Sequence, residues 1–238
     1  MRTFWLLYKS EAKLSFREMS SFIFGLILPL GLMALLGAFG ESNEDLNRSF
    51  ASVATIGLVS SGVMSLPLSL SSYRERKILK RYQVTPISPA HLLSAHVAFC
   101  FSLSIVSMIG VFLVAKLGFG MEFLGSPSLF IGAYLITMIS IHSIGMVIAS
   151  LSPREKTTGA ISSAIYFPMF LLSGATIPIE IMPDFLQTLA KIFPLTYGIE
   201  WLKGIALHEP GGYALHITVL VGVALLGIFI SIRTFRWE

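Results

Sequence analysis

The chain has 238 residues, of which 54% are hydrophobic and only 13% charged, and its mean hydropathy is +0.78. Soluble domains carry about 25% charged residues, and a water-soluble fold of this size cannot hide so much apolar surface. A soluble enzyme or binding module is therefore excluded and an integral membrane protein is expected: six spans of about 20 residues would fill half the chain. The net charge of +4 suits the inner loops of such a protein, not nucleic-acid binding.

Residues 1–20 read as an amphipathic helix. At about 100° per residue, Trp5, Tyr8, Ala12, Phe16 and Met19 share one arc, and Arg2, Lys9, Lys13 and Arg17 share the next. An aromatic face beside a basic face suits the plane of an anionic membrane surface; the pattern also fits a solvated helix packed on another element. Four basic and two acidic groups in this stretch argue against a secretory signal. The first apolar run is 22–39, with Pro29 inside it, followed by an acidic loop from Glu41 to Arg48. The second run, about 50–72, carries Gly57 and Ser61, a small-xxx-small pair that favours close helix packing.

Residues 73–91 break the hydropathy with five basic residues and one acid. A helical stretch is expected from Arg74 to Gln83, stopped by Pro86. It reads equally as a docking segment or as a basic loop that only fixes orientation. The third run is about 92–115 and holds His96 and the lone Cys100, read as a small packing residue. A link with Lys116 and Glu122 leads to the fourth run, 127–151, with His142 deep inside. After Ser152-Pro-Arg-Glu-Lys156 comes the fifth run, 159–177, in which Tyr166, Phe167 and Phe170 read first as lipid-facing or core aromatics and second as candidate lining residues for a hydrophobic path. Residues 178–212 are apolar but charged in places, and the last run is about 213–232.

Six spans with both ends inside leave only Arg48, Lys116, Lys191 and Lys203 outside, so thirteen of the 17 Lys and Arg lie inside, as the positive-inside rule requires. A seventh span at 178–212 would invert the C-terminal arginines. That segment is therefore expected to dip into the outer leaflet without crossing, with Pro183 and Pro194 starting two short helices.

The absences narrow the chemistry. No Asp, Glu, Lys or Arg falls inside the six runs as drawn, which disfavours ion-coupled transport. His142 is read as a hydrogen-bonding helix contact or a functional group in a path. His91 and His96 are five apart, are read as lacking carboxylate partners and match no metal spacing. No nucleophile elbow is present, and neither Lys9-Ser10 nor Lys156-Thr157 follows a glycine-rich phosphate loop. No cofactor is expected on this chain, and it is not expected to be an enzyme.

Two segments carry a resemblance. Tyr73-Arg-Glu-Arg-Lys-Ile-Leu-Lys-Arg-Tyr-Gln-Val-Thr-Pro-Ile-Ser88 resembles the loop after the second span in permease subunits of type-2 ABC transporters. Leu172-Ser-Gly-Ala-Thr-Ile-Pro-Ile-Glu-Ile-Met-Pro-Asp-Phe-Leu-Gln187, then Phe193-Pro-Leu-Thr-Tyr197, is similar to the stretch after the fifth span. The order of features covers essentially the whole chain. The resemblance implies an all-α permease domain over 1–238 with six spans, an interfacial N-terminal helix (Trp5, Tyr8, Lys9, Lys13, Phe16, Arg17) and an outer re-entrant hairpin shaped by Pro178, Pro183, Pro194 and Tyr197.

It further implies a coupling segment that meets an ATPase, with Arg74, Glu75, Arg76, Leu79, Arg81 and Pro86 in the first inner loop and Arg154 and Glu155 in the second. Relatives often carry Gly-Thr where Lys77-Ile78 stand here. Two permeases, identical or related, would pair with two ATPase subunits that hold ATP and magnesium, in a bacterial or archaeal inner membrane. The implied cargo is a hydrophobic or amphipathic drug or antimicrobial. A lipid or lipid-linked glycan exporter and a non-transporting sensor or assembly protein are the alternatives.

Overall fold

The computed structural model describes residues 2–17, 22–78, 89–152, 154–209 and 211–234, and these are helical throughout apart from turns and short links. In chain order the helices are α1 (Arg2–Arg17), α2 (Ile23–Phe39), α3 (Asn43–Glu75), α4 (Pro89–Leu113, continued by Val114–Gly118), α5 (Pro127–Leu151), α6 (Glu155–Leu172), α7 (Asp184–Ala190), α8 (Pro194–Ala206) and α9 (Ala214–Thr234). A 3-10 turn, Ile179–Ile181, precedes α7.

Among the described residues, α3, α4, α5 and α9 are long and apolar enough to cross a membrane. The other two expected spans are occupied by α2, which is apolar but shorter, and by α6, whose first turn is the polar Glu155-Lys-Thr-Thr. The bundle is built around α3: 83% of its most apolar stretch is buried, against 22% for α9, which lies on the flank of α5. α4 packs along α3, α8 packs on α3 and α5, and α1 lies against α4.

Several boundaries differ from the hydropathy reading. The acidic loop Glu41–Arg48 is mostly helix, because Ser42 caps α3. Its Oγ accepts from the Asp45 amide at 3.1 Å while the Asp45 carboxylate accepts from the Ser42 amide at 3.2 Å, a reciprocal box that satisfies two orphan donors. The fifth run stops early, at Leu172, because Gly174 takes φ +83° just beyond the helix end, where glycine is favoured. The proline expectation holds: Pro183 is the N-cap of α7 and Pro194 is the first residue of α8.

Gly57 and Ser61 pack as the small-residue pair predicts. A side chain at Gly57 would overlap Ser107 of α4, and Ser61 Oγ lies 2.6 Å from Ser104 Oγ one turn along. Of the three π-helical stretches among the described residues, Ile23–Ile27 at the start of α2 and Ser60–Ser65 within α3 each run into a proline-bearing turn, at Pro29 and Pro67, and the third, Val114–Gly118, ends α4. Proline removes an intrahelical donor, and a π-bulge absorbs the resulting mismatch; such bulges are frequent at functional sites.

Candidate functional site

α3 ends at Glu75. Its last turn closes with the Arg76 amide donating to the Ser72 carbonyl and the Lys77 amide to the Arg74 carbonyl, both at 2.9 Å. Lys77 takes φ +56°, the left-handed region that terminates helices. The expected helix from Arg74 to Gln83 is thus not continuous; it breaks at Arg76–Lys77. The position where the resemblance places Gly is one whose backbone favours Gly. Leu79, Arg81 and Pro86 lie outside the described residues.

The two residues before this break grip the α5–α6 turn. Arg74, only 8% exposed, donates through Nη1 to the carbonyls of Ala149 at 3.0 Å and Ser152 at 2.8 Å. These belong to the last turn and C-cap of α5, where carbonyls lack intrahelical partners and a cation complements the dipole. The Glu75 carboxylate accepts from the Glu155 amide at 2.8 Å, the first N–H of α6, where an anion is favoured for the opposite reason. Adjacent opposite charges therefore clamp the end of one helix and the start of the next. Arg76, Lys77, Arg154 and Lys156 are exposed around this clasp and form a cationic surface. Arg74, expected on a docking surface, is instead buried as a structural member, because two helix-end carbonyls need its donors.

A cavity of about 170 Å³ lies further along the same helices, lined by Phe24, Ser60, Met64, Ser65, Leu68, Ser163, Tyr166 and Phe167. Tyr166 Oη and Ser60 Oγ are 3.0 Å apart, and Phe170 stacks on Tyr166 at 5.6 Å. Ser60 and Ser65 come from the π-helical stretch of α3 and Ser163 from α6, so apolar walls meet a row of hydroxyls.

His142 does not line that cavity. Its Nδ1 lies 2.8 Å from the Met138 carbonyl, so this nitrogen carries the proton and donates. Nε2 lies 3.3 Å from Ser61 Oγ, and Phe101 packs against the ring at 4.6 Å. The imidazole joins α5 to α3 and α4.

At the far end, a second cleft of about 230 Å³ is lined by Phe50, Phe112, Phe123, Phe130 and aliphatic neighbours and has almost no polar surface. Nearby, Tyr197 packs edge-on to His216 at 5.8 Å, and His216 Nε2 lies 3.1 Å from the Glu200 carboxylate. On the Pro178–Ala190 stretch, Ile181 and Phe185 are more than 70% exposed, as is Ile192 just beyond. Among the described residues no group of three His, Cys, Asp or Glu is placed to hold a metal.

Sequence reasoning missed Glu11. His96 does have a carboxylate partner: its Nδ1 lies 2.7 Å from Glu11 Oε2, and Tyr73 Oη donates to the same oxygen at 2.6 Å. The signal was present in α1 as Phe4, Leu7, Tyr8, Glu11 and Ala12, an i, i+3, i+4, i+7, i+8 stripe with an acid in the apolar series.

A family model described as ABC-2 type transporter aligns with residues 2–207. The chain belongs to the ABC-2 type transporter family. It is similar to Nodulation protein J of Sinorhizobium fredii, with 25% identity over 86% of this chain and 78% of that protein. Nodulation protein J of Bradyrhizobium diazoefficiens is 32% identical over 42% of this chain and 39% of its own length. The Inner membrane transport permease YhhJ of Escherichia coli is 24% identical over 69% of this chain but 44% of its own length. No solved structure matches. Membership in this family makes the chain a membrane-embedded permease part of a transporter.

Proposed function

We propose that this chain carries a hydrophobic or amphipathic compound, of the drug or antimicrobial kind, outward across a bacterial or archaeal inner membrane. Energy comes from two separate ATPase subunits, which hold the ATP and magnesium, and the chain works as a pair of permeases with six spans. Both termini and the α1 end of the bundle face the cytoplasm, and the Pro178–Tyr197 segment dips into the outer leaflet with Ile181 and Phe185 in lipid.

One observation carries this reading. Arg74 and Glu75 tie α3 to the end of α5 and the start of α6, and α3 and α6 line the cavity that holds Ser60 and Tyr166. A push on the cationic surface at Arg76, Lys77, Arg154 and Lys156 therefore moves both walls of that cavity together. Its lining of phenylalanines and hydroxyls suits an amphipathic solute, since a mostly apolar pocket with a few polar groups both holds and orients such a ligand. Alternating exposure follows if the ATPase favours one arrangement of these walls, because a ligand shifts an equilibrium only by its differential affinity.

The test is co-purification with a candidate ABC ATPase, then ATPase activity in liposomes across a panel of amphipathic compounds, lipids and glycans. Stimulation by amphipathic compounds is expected, and Tyr166→Ala abolishes it. Glu75→Lys uncouples stimulation while membrane insertion and ATPase binding persist. Stimulation by glycans alone overturns the cargo class, and failure of any ATPase to associate overturns the transporter mechanism.

A further inference from the structure

Three helices meet around Glu11. It projects from α1, His96 from α4 and Tyr73 from the last turns of α3, and Cys100 Sγ lies 3.6 Å from the other ring nitrogen of His96. Glu11 is 3% exposed, His96 1% and Cys100 not at all. The surrounding contact is apolar, with Leu7, Leu92 and Ala95 buried and Phe4, Tyr8, Tyr73 and Ile78 packed on them. A carboxylate in such a place is strongly unfavourable unless each of its lone pairs finds a donor. Two donors reach the same oxygen, one from each neighbouring helix. A one-position slip of α1 would strand all three polar groups, so the cluster fixes the register of the contact, the best-attested use of a buried polar group.

We propose that Glu11, Tyr73 and His96 form a latch that docks the surface helix α1 in one register on α4 and on the end of α3. Tyr73 immediately precedes Arg74 and Glu75, so α1 is anchored one residue from the clasp on the α5–α6 turn. Its exposed apolar residues, Trp5, Leu6 and Leu14, remain available to the bilayer. Glu11 is a positioning residue: it acts through Tyr73 on the segment that receives force. The latch itself rests only on geometry; its consequence for coupling rests on the proposed function.

Cys100 is the chain's single cysteine and sits beside the latch, with Tyr8 and Ala12 of α1 packed on its cluster, so it reports undocking. The experiment is the rate of Cys100 alkylation by N-ethylmaleimide in the full chain, reconstituted in phosphatidylcholine nanodiscs. The wild type is expected to be protected. Glu11→Ala should raise the rate at least about tenfold, since local opening sets access to buried groups. Glu11→Gln, which keeps an acceptor oxygen, should be intermediate, and Lys13→Ala on the exposed side of the same helix should leave it unchanged. Equal rates for Glu11→Ala and wild type overturn the latch, as does an equal rise in Lys13→Ala. Glu75→Gln should leave Cys100 protected; exposure there matching Glu11→Ala means general loosening and also overturns it. No ATPase is needed, so failure here and failure of the transporter mechanism are separable.

Discussion

The two ends of the bundle are fastened by different chemistry. At the α1 end the helices are joined by ionisable groups: Arg74 on two carbonyls, Glu75 on an amide, and Glu11 shared by Tyr73 and His96. At the opposite end neutral groups and close contact dominate. Asn43 and Asn47 both donate to the Glu122 carbonyl at 2.8 Å, Phe50 stacks on Phe130 at 5.1 Å, and Gly125 lies against the backbone of Ile205. The contact there between His216 and Glu200 is partly exposed. Directional charged bonds can be exchanged for others as a unit, whereas a close-packed interior resists continuous deformation. The α1 end is thus held by bonds that can be re-made, and the other end supplies a rigid footing.

Breaking the packed end is expected to have the largest effect. A methyl group at Gly125 would overlap the Ile205 carbonyl and approach the Ala206 backbone, and no flexible side chain is available to yield. Gly125→Ala should cost about 3 kcal/mol through overpacking, a fall in melting temperature of about 10 °C for a chain of this length, read by scanning fluorimetry in detergent. Breaking the charged end costs less. Arg74→Ala leaves the Ala149 and Ser152 carbonyls without their donor, worth about 2 kcal/mol. Arg74→Lys should recover only part of this, because a compact, strongly hydrated ammonium is costlier to bury than a guanidinium. Equal losses at Gly125 and Arg74, or full rescue by lysine, would erase the distinction between the two ends.

How far the sequence carried the reading follows the same division. Contacts that depend on one helix's own pattern were legible: Gly57 and Ser61 as a packing pair, and Pro183 and Pro194 as helix starts. Contacts that depend on a distant partner were not. His96 reads as lacking a carboxylate because Glu11 lies 85 positions away, and only the acid within the apolar stripe of α1 hinted at it. Arg74 reads as a surface cation because its neighbours in sequence are charged; its acceptors are helix-end carbonyls, which carry no residue signature. The cavity at Ser60 and Tyr166 needs a π-helical stretch of α3 to face α6, which hydropathy does not encode. The break at Lys77 was foreshadowed where the resemblance places Gly, although the helical pattern over Arg74–Gln83 pointed the other way.

That break supplies a prediction of gain. Lys77 holds φ +56°, a conformation that costs a residue with a Cβ about 1 kcal/mol. Lys77→Gly should therefore stabilise the chain by up to about 1 kcal/mol, less the greater freedom glycine has when unfolded. A rise of about 2 °C in melting temperature is expected. A fall would mean that the Lys77 side chain contributes more than its backbone strain removes, and the cationic surface would then be a structural part of the charged end.

The smallest stability effect is expected at Glu75, and it separates fastening from signalling. Glu75 is exposed, so its charge at the start of α6 is screened, and Glu75→Gln retains an acceptor for the Glu155 amide. The loss should be about 0.5 kcal/mol, a shift of about 1–2 °C in melting temperature. Glu75→Lys sets a cation against the positive end of α6 and should lose about 1 kcal/mol. Neither change approaches the cost at Gly125 or Arg74. If the charged end serves to transmit force, Glu75→Lys nonetheless removes ATPase stimulation, an effect out of proportion to its stability cost. If instead stimulation falls only in step with melting temperature across Gly125→Ala, Arg74→Ala and Glu75→Lys, the two ends differ in how they are fastened and not in what they do.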